Sequence, residues 1–284
     1  MTQAELDAAY NQRVYAPNMD LVQKRRLAQV AAAKSRLGEP EIFSYGESPM
    51  ERLLVYRTEK RNAPIQVWVH GGTWRFGSAD AQIEKAEPIV NAGGHCILVD
   101  FSRVDDEGVS LSDLVRQVRD AVAWVYRRAD DINGNRDRIF VSGHSSGGHL
   151  AGVLLTTDWA NTHDLPLDVI KGGLCASGMF DLTPVRLSWR NSYLKLTDDE
   201  VEQLSPQRHI RHLNAPVIVA YGTEETPEFK RQSRDFAAAV KQAGKPVSLL
   251  VAEGHNHFEI AETYANPYGL LGNAVLTQMG LVKS

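Results

Sequence analysis

Arg138-Ile139-Phe140-Val141-Ser142-Gly143-His144-Ser145-Ser146-Gly147-Gly148-His149-Leu150 is the stretch whose reading decides this chain. An apolar β-type run ends at Ser142, and the helical stretch Gly148-His149-Leu150-Ala151-Gly152-Val153-Leu154-Leu155 follows. Between them lies G-x-S-x-G, Gly143 to Gly147. A G-x-S-x-G set between a buried strand and a helix is the pattern of a nucleophile elbow. The two backbones nearly touch there, so the residues flanking the serine must be small. Ser145 is then presented at the carboxyl end of a sheet, beside a helix N-terminus.

The surroundings fit one α/β unit. The chain has 284 residues, of which 43% are hydrophobic and 23% charged, ordinary values for a globular domain. A net charge of −4 with no basic run excludes nucleic acid and anionic membrane as the expected partners. No window reaches the roughly 18 apolar residues that a spanning helix needs. The opening Met1-Thr2-Gln3-Ala4-Glu5-Leu6-Asp7 has neither the basic segment nor the apolar core of a signal peptide. Cys96 and Cys175 both lie in apolar runs and read as buried free thiols of a reducing compartment. A cytoplasmic protein is expected.

Apolar, β-branched runs at 41–45, 52–57, 65–69, 96–101, 139–142, 172–176, 217–221 and 247–252 are eight strand candidates. Val217-Ile218-Val219-Ala220 is apolar on consecutive residues, as strands buried on both faces of a mainly parallel sheet are. Amphipathic stretches alternate with them. Residues 110–128 are the clearest, with Leu111, Leu114, Val115, Val118, Val122 and Val125 on one face and a Ser110/Asp113 capping box. This alternation predicts an open sheet with helices on both sides and an antiparallel entry from the first two runs. Residues 1–38 read as a helical N-terminal segment, with helices at 3–12 and 21–37. Residues from about 178 to 213 lack a clean period and are the expected cap or lid insertion. One domain over 1–284 is expected.

His70-Gly71-Gly72-Thr73-Trp74 follows the run 65–69 directly. Acyl transfer places negative charge on a carbonyl oxygen, and preorganised N–H groups are its usual stabilisers. Two glycines let a loop turn its N–H groups inward. An H-G-G loop supplies one donor and the residue after the nucleophile another. The expected oxyanion donors are therefore Gly72, Thr73 and Ser146, and losing one typically costs about 3 kcal/mol. His70 reads as a loop-orienting group.

An elbow of this kind is followed along the chain by an acid and then a histidine. Of nine histidines, His70 and His144 belong to the glycine motifs and His149 to the following helix. His95 begins a strand, and His163, His209 and His212 precede the last two strands. His255 and His257 remain, just after the final run. The acid belongs after 217–221, in Gly222-Thr223-Glu224-Glu225-Thr226-Pro227-Glu228-Phe229. Thr226-Pro227 reads as an N-cap followed by proline at the first helical position. Glu228 then complements a helix N-terminus, leaving Glu224 and Glu225 as candidate acids.

Three stretches now carry a resemblance: His70–Trp74, the elbow through Ala151, and a C-terminal pair. That pair is Thr226-Pro227-Glu228-Phe229-Lys230-Arg231-Gln232-Ser233 and Asn256-His257-Phe258-Glu259-Ile260. From near residue 7 to about 265 the chain resembles the kynurenine formamidase (arylformamidase) branch of the α/β-hydrolases, close to the hormone-sensitive-lipase-like esterases. The family's versions of the pair are close to S-P-E-F-x-R-Q-S and D-H-F-E-I. The resemblance implies an α/β-hydrolase fold with Ser145 as nucleophile, His257 as base and Glu225 as acid, where the family usually has Asp. Thr73-Trp74-Arg75 stands where animal members often have Tyr-Trp-Gln. Phe101-Ser102-Arg103-Val104-Asp105 replaces the Tyr-x-Leu-Ala-Pro of related esterases.

The expected activity is that of a serine hydrolase cleaving a small-acyl arylamide or ester through an acyl-enzyme. N-formylkynurenine is the substrate the resemblance implies, and a promiscuous carboxylesterase is the alternative. No metal or organic cofactor is required by this chemistry. The expected partner is a small-molecule ester or amide, with a homodimer as the expected assembly if the chain self-associates. Trp74, Phe101 and the aromatic residues of 178–193 are expected to line the acyl or aryl pocket, core packing being the competing role for each. A catalytically silent ligand binder on this fold would lack the serine or the histidine, and both are present.

Overall fold

Buried strands have to hide both faces, and five of the eight strand runs do so residue by residue. In the computed structural model, which describes residues 2–282, the strands are β1 (Glu41–Ser44), β2 (Arg52–Tyr56), β3 (Ala63–Val69) and β4 (His95–Val99), then β5 (Gly134–His144), β6 (Ile170–Ala176), β7 (Val217–Gly222) and β8 (Val247–Ala252). They form one eight-stranded sheet in the order β1-β2-β4-β3-β5-β6-β7-β8. β1 and β2 enter antiparallel, and every pairing from β4 to β8 is parallel. Successive side chains point to opposite faces. Accordingly Val67, Ile97, Val141 and Val219 join one apolar core, while Trp68, Leu98, Phe140 and Ala220 join the other. Cys96 and Cys175 are free and buried on opposite faces, and burial pushes both thiols up. The edge strand β8 leaves Leu249 and Val251 partly exposed.

The helices are α1 (Gln3–Ala9), α2 (Met19–Leu37), α3 (Ala86–Ala92), α4 (Leu111–Arg127), α5 (Ser146–Leu155) and α6 (Trp159–His163). After β6 come α7 (Thr183–Leu187), α8 (Asn191–Leu194) and α9 (Asp198–Leu204), and then α10 (Pro227–Gln242), α11 (Glu259–Glu262) and α12 (Leu270–Gln278). The Ser110/Asp113 capping box forms at the start of α4, with Asp113 N–H donating to Ser110 Oγ at 3.3 Å and Ser110 N–H to Asp113 Oδ2 at 2.9 Å. Leu111, Leu114, Val118, Val122 and Val125 bury the face that the sequence period marks. Among the described residues no helix is long and apolar enough to cross a membrane.

One difference from the sequence expectation concerns the N-terminal segment. The first helix stops at Ala9 rather than residue 12, and the chain continues into a 3-10 turn over Gln12–Tyr15. Tyr10 and Gln12 are buried there. Their polar groups bond to the loop and helix after β7 rather than continuing a surface helix. The stretch 178–213 folds as α7, α8, α9 and two 3-10 turns. Its apolar residues Leu182, Val185, Leu194, Val201 and Leu204 belong to the main core.

Candidate active site

The elbow is built by glycines that no other residue could replace. Ser145 has φ 59° and ψ −124°, left-handed backbone that L-residues seldom adopt. A Cβ on Gly147 would overlap Val69 O and lie 2.7 Å from the carbonyl carbon of His70. A Cβ on Gly148 would lie 2.5 Å from Ala176 O. Strand and helix approach this closely because Ser145 N–H donates to Ala176 O at 2.9 Å. The outcome is a hydroxyl raised above the carboxyl ends of β5 and β6, at the first turn of α5.

His257 reaches that hydroxyl from the loop after β8. Its Nε2 stands 2.9 Å from Ser145 Oγ, and its Nδ1 stands 2.7 Å from Glu225 Oε2. With Nδ1 donating to the carboxylate, Nε2 is left to accept the serine proton. The ring is held edge-on by Phe229, with centroids 4.9 Å apart, and by Phe258 at 5.4 Å. Asn256 Oδ1 accepts from Phe258 N–H and Glu259 N–H at 3.0 and 3.1 Å, which fixes the turn that carries the imidazole. His255, the other candidate base, turns its Nδ1 to Glu253 O at 2.8 Å.

Glu225 is fully buried and each of its oxygens has work. Oε1 accepts from Ser177 Oγ at 2.6 Å and from Gly222 N–H at 2.7 Å. Oε2 faces His257 and accepts a longer bond from Gln12 Nε2 at 3.4 Å. Glu224 is exposed, so geometry separates the two candidates that the sequence leaves open. Glu228 lies in the first turn of α10, as the sequence reads it, and is buried there. It takes Arg231 Nη2 at 2.6 Å and the Tyr10 hydroxyl at 3.3 Å.

The loop after β3 holds Gly72, Thr73 and Trp74 at φ 130°, 57° and 61°. Among the described residues no internal acceptor faces the N–H groups of Gly72, Thr73 or Ser146. Trp74 N–H is engaged, donating to Ser146 Oγ at 3.2 Å. The loop is therefore tied to the elbow while three donors stay free. His70 sits beneath it, stacked on Phe101 at 4.2 Å and 7°, with Nδ1 3.0 Å from Gly71 O. Burial pushes its pKa down.

Two expected pocket residues are elsewhere. Trp74 and Phe101 are 2% and 3% exposed and belong to the main core. Trp74 points inward because its indole N–H donates to His149 Nδ1 at 3.2 Å, and His149 Nε2 in turn meets Leu204 O at 2.8 Å. Burial lowers His149 to about 4, so it is neutral with the proton on Nε2. Phe101 turns inward to stack on His70.

Ser145, His144 and His257 open into a cavity of about 580 Å³. Its walls include Trp189 from the 178–193 stretch, Tyr10, Gln12 and Arg13 before α2, and Met19 and Val22 on it. Lys85 is buried on this wall, donating to Ala261 O at 2.6 Å and facing Glu84 at 3.4 Å. Burial pushes its pKa down. His144 is pushed well down too, by burial first and then by His257 and Lys85. Among the described residues no group of three or more His, Cys, Asp or Glu is arranged to hold a metal ion. Sequence reasoning missed Ser177 and Gln12, which bond to Glu225, and Arg190, which lines the cavity. Ser177 and Arg190 lie in stretches without a motif, and Gln12 reads as the end of a surface helix.

Fold and site together define a serine-type α/β-hydrolase acting on amides or esters. Residues 53–172 match the family model described as BD-FAE. The kynurenine formamidase of Danio rerio is 31% identical over 99% of this chain and 97% of its own length. The crystal structure of a protein from Silicibacter sp. tm1040 superposes with a TM-score of 0.81 at 25% identity, covering 96% of this chain and 98% of that one. The thermophilic esterase Est2 of Thermogutta terrifontis, solved with propionate bound, superposes with a TM-score of 0.72 at 21% identity over 87% of this chain and 97% of its own. The chain belongs to the kynurenine formamidase family.

Proposed function

We propose that this chain is an arylformamidase, hydrolysing a small-acyl arylamide of the N-formylkynurenine type through an acyl-enzyme on Ser145. The observation that carries the reading is the continuous line Ser145 Oγ–His257 Nε2 at 2.9 Å and His257 Nδ1–Glu225 Oε2 at 2.7 Å, opening into the cavity beside three unengaged N–H donors. His257 removes the Ser145 proton as Oγ attacks the carbonyl carbon. Negative charge collects on the carbonyl oxygen, against the N–H groups of Gly72, Thr73 and Ser146. As the intermediate collapses, His257 returns the proton to the departing aryl amine. Water, deprotonated by the same imidazole, then releases the acyl group and restores the serine. Glu225 fixes the tautomer throughout. The stretch 178–213 acts as the cap of a single domain, with the N-terminal residues 10–26 lining the cavity beside it.

A carboxylesterase acting on short-chain or aryl esters is the second reading, favoured by the departures from the family at Thr73-Trp74-Arg75 and Phe101–Asp105. The two carbonyl types share this tetrahedral chemistry, and pocket shape separates them. The test is kcat/KM on N-formylkynurenine beside short aryl esters such as p-nitrophenyl acetate, with labelling by a fluorophosphonate. Higher kcat/KM on the arylformamide and a single adduct on Ser145, both absent in Ser145→Ala, are expected. Comparable turnover in Ser145→Ala overturns the nucleophile assignment, and a clear preference for esters overturns the amide reading.

A further inference from the structure

The cavity is electrostatically one-sided. Arg13, Arg26, Arg75, Lys85 and Arg190 line it, against the single carboxylate of Glu262, which is itself paired with Arg25 at 2.6 Å. Most of the cations are accounted for. Arg26 and Lys85 face Glu84 at 3.5 and 3.4 Å, and Arg75 meets Asp105 at 2.7 Å. Arg13 is exposed to solvent.

Arg190 differs from all of these. It precedes α8, is 4% exposed, and has no carboxylate within ion-pairing distance among the described residues. Nη2 donates to Tyr10 O at 3.0 Å, Nη1 meets only Met179 Sδ at 3.9 Å, and Nε has no partner. The faces of Tyr10, Trp189 and Phe229 surround it at 5.3, 5.9 and 6.0 Å. One turn further on, the buried hydroxyl of Tyr193 also lacks a hydrogen-bond partner, and Arg75 lies over the Tyr193 ring at 4.4 Å. Arginine keeps its charge on burial, and buried charges are ordinarily paired. A guanidinium short of partners on the wall of the cavity that holds Ser145, with an unpartnered phenol one turn behind it, describes a site whose counter-ion arrives from outside.

We propose that Arg190, backed by Tyr193, forms an anion subsite that takes a carboxylate carried by the substrate on the side of the molecule away from the scissile bond. The inference deepens the arylformamidase reading and rests on it for the identity of the scissile bond, but not for the anion. Carboxylate recognition by arginine uses paired, charge-assisted N–H donors, and the cation-rich wall draws an anionic substrate inward.

The experiment compares N-formylkynurenine with its methyl ester, which has the same scissile formamide and lacks the negative charge. In wild type the acid is preferred. In Arg190→Gln the acid-over-ester preference in kcat/KM falls about 10- to 100-fold, the size of a lost charge-assisted hydrogen bond. The loss sits mainly in KM, Arg190→Lys recovers part of it, and Tyr193→Phe shows a smaller fall. Equal losses on both substrates, leaving the preference where it was, would mean that Arg190 only braces the cap, and the proposal fails. If wild type cleaves neither formamide, the arylformamidase reading fails, and inhibition of p-nitrophenyl acetate turnover by benzoate against methyl benzoate still decides the subsite. Arg190-dependent selectivity for benzoate supports it, and no selectivity in wild type overturns it.

Discussion

Replacing Glu225 by Gln exchanges one oxygen for an NH2 group and, through the bonds around it, should reverse the polarity of the whole relay. Oε1 accepts from both Ser177 Oγ at 2.6 Å and Gly222 N–H at 2.7 Å. An amide NH2 cannot occupy that position, because the backbone N–H of Gly222 would face it donor to donor. The side-chain carbonyl is therefore forced to the Oε1 site and the NH2 to the Oε2 site, 2.7 Å from His257 Nδ1. There it donates, so Nδ1 must accept and the ring proton moves to Nε2. In that tautomer Nε2 cannot take the Ser145 proton. Carboxylate-to-amide replacement in a Ser-His-Asp relay of an unrelated protease costs about 10⁴ in kcat, or about 5 kcal/mol of transition-state stabilisation. A loss of that order is expected for Glu225→Gln on p-nitrophenyl acetate, with an unchanged circular dichroism spectrum and correspondingly slow fluorophosphonate labelling. Glu224→Gln serves as the comparison, because that carboxylate is exposed. It should change kcat by less than about twofold, as surface substitutions away from the site do. Glu225→Gln activity within tenfold of wild type would refute the tautomer argument.

Two further perturbations test the scaffold. Gly147→Ala sets a methyl against Val69 O and the His70 carbonyl carbon, backbone atoms that no rotamer change can move. A loss of about 3 kcal/mol, or roughly 10 °C in Tm for a domain of this size, is expected by thermal melting, and a melt within 2–3 °C of wild type would contradict the elbow geometry. His149 gives a pH signature. Its folded pKa of about 4 lies below the usual 6.5, so the unfolded chain binds the proton first. Its contribution is complete above about pH 6.5 and drains away as pH falls toward 4, up to about 3 kcal/mol. Urea midpoints from pH 7 to 4.5 should fall more steeply for wild type than for His149→Gln, and superimposable slopes would remove His149 from the account.

What could be read from the sequence divides along a physical line. Strand runs were legible because burial on both faces demands consecutive apolar residues, as in Val217–Ala220, and all eight appear in the sheet. The elbow and the Gly71-Gly72 loop were legible because close backbone approach permits so few residues. The choice of Glu225 over Glu224 was not in the residues themselves. Adjacent glutamates in a loop look alike until the backbone decides which one turns inward to Ser177 and Gly222. Trp74 and Phe101 misled for a related reason. An aromatic beside a catalytic loop has the same local pattern whether it faces the cavity or, like Trp74 on His149, the core. Gln12, Tyr10 and Arg190 act through partners some two hundred positions away, and no local period records such a contact.

Those distant contacts share one origin, the first twenty residues, and that changes what the N-terminal segment is for. Gln12 accepts from Thr226 N–H at 3.2 Å and donates to Glu225, so it holds the acid loop. Asn18 accepts from Asn256 Nδ2 at 2.8 Å and donates to Glu259 Oε1 at 2.6 Å, so it holds the loop carrying His257. Gln3 donates to Leu187 O at 2.8 Å, Asp7 accepts from Trp189 N–H at 2.6 Å, and Tyr10 O accepts from Arg190, so they hold the segment after β6. Each bond is worth only about 1 kcal/mol net, too little to matter for global stability alone. Their value lies in direction. A relay spaced at 2.7 and 2.9 Å loses its function with displacements that stability measurements scarcely register. The sheet fixes Ser145, but the acid and the histidine ride on two separate loops, and a single strap crossing both makes their positions depend on each other. The segment that reads in the sequence only as two helices is thus part of the apparatus that keeps the relay in line.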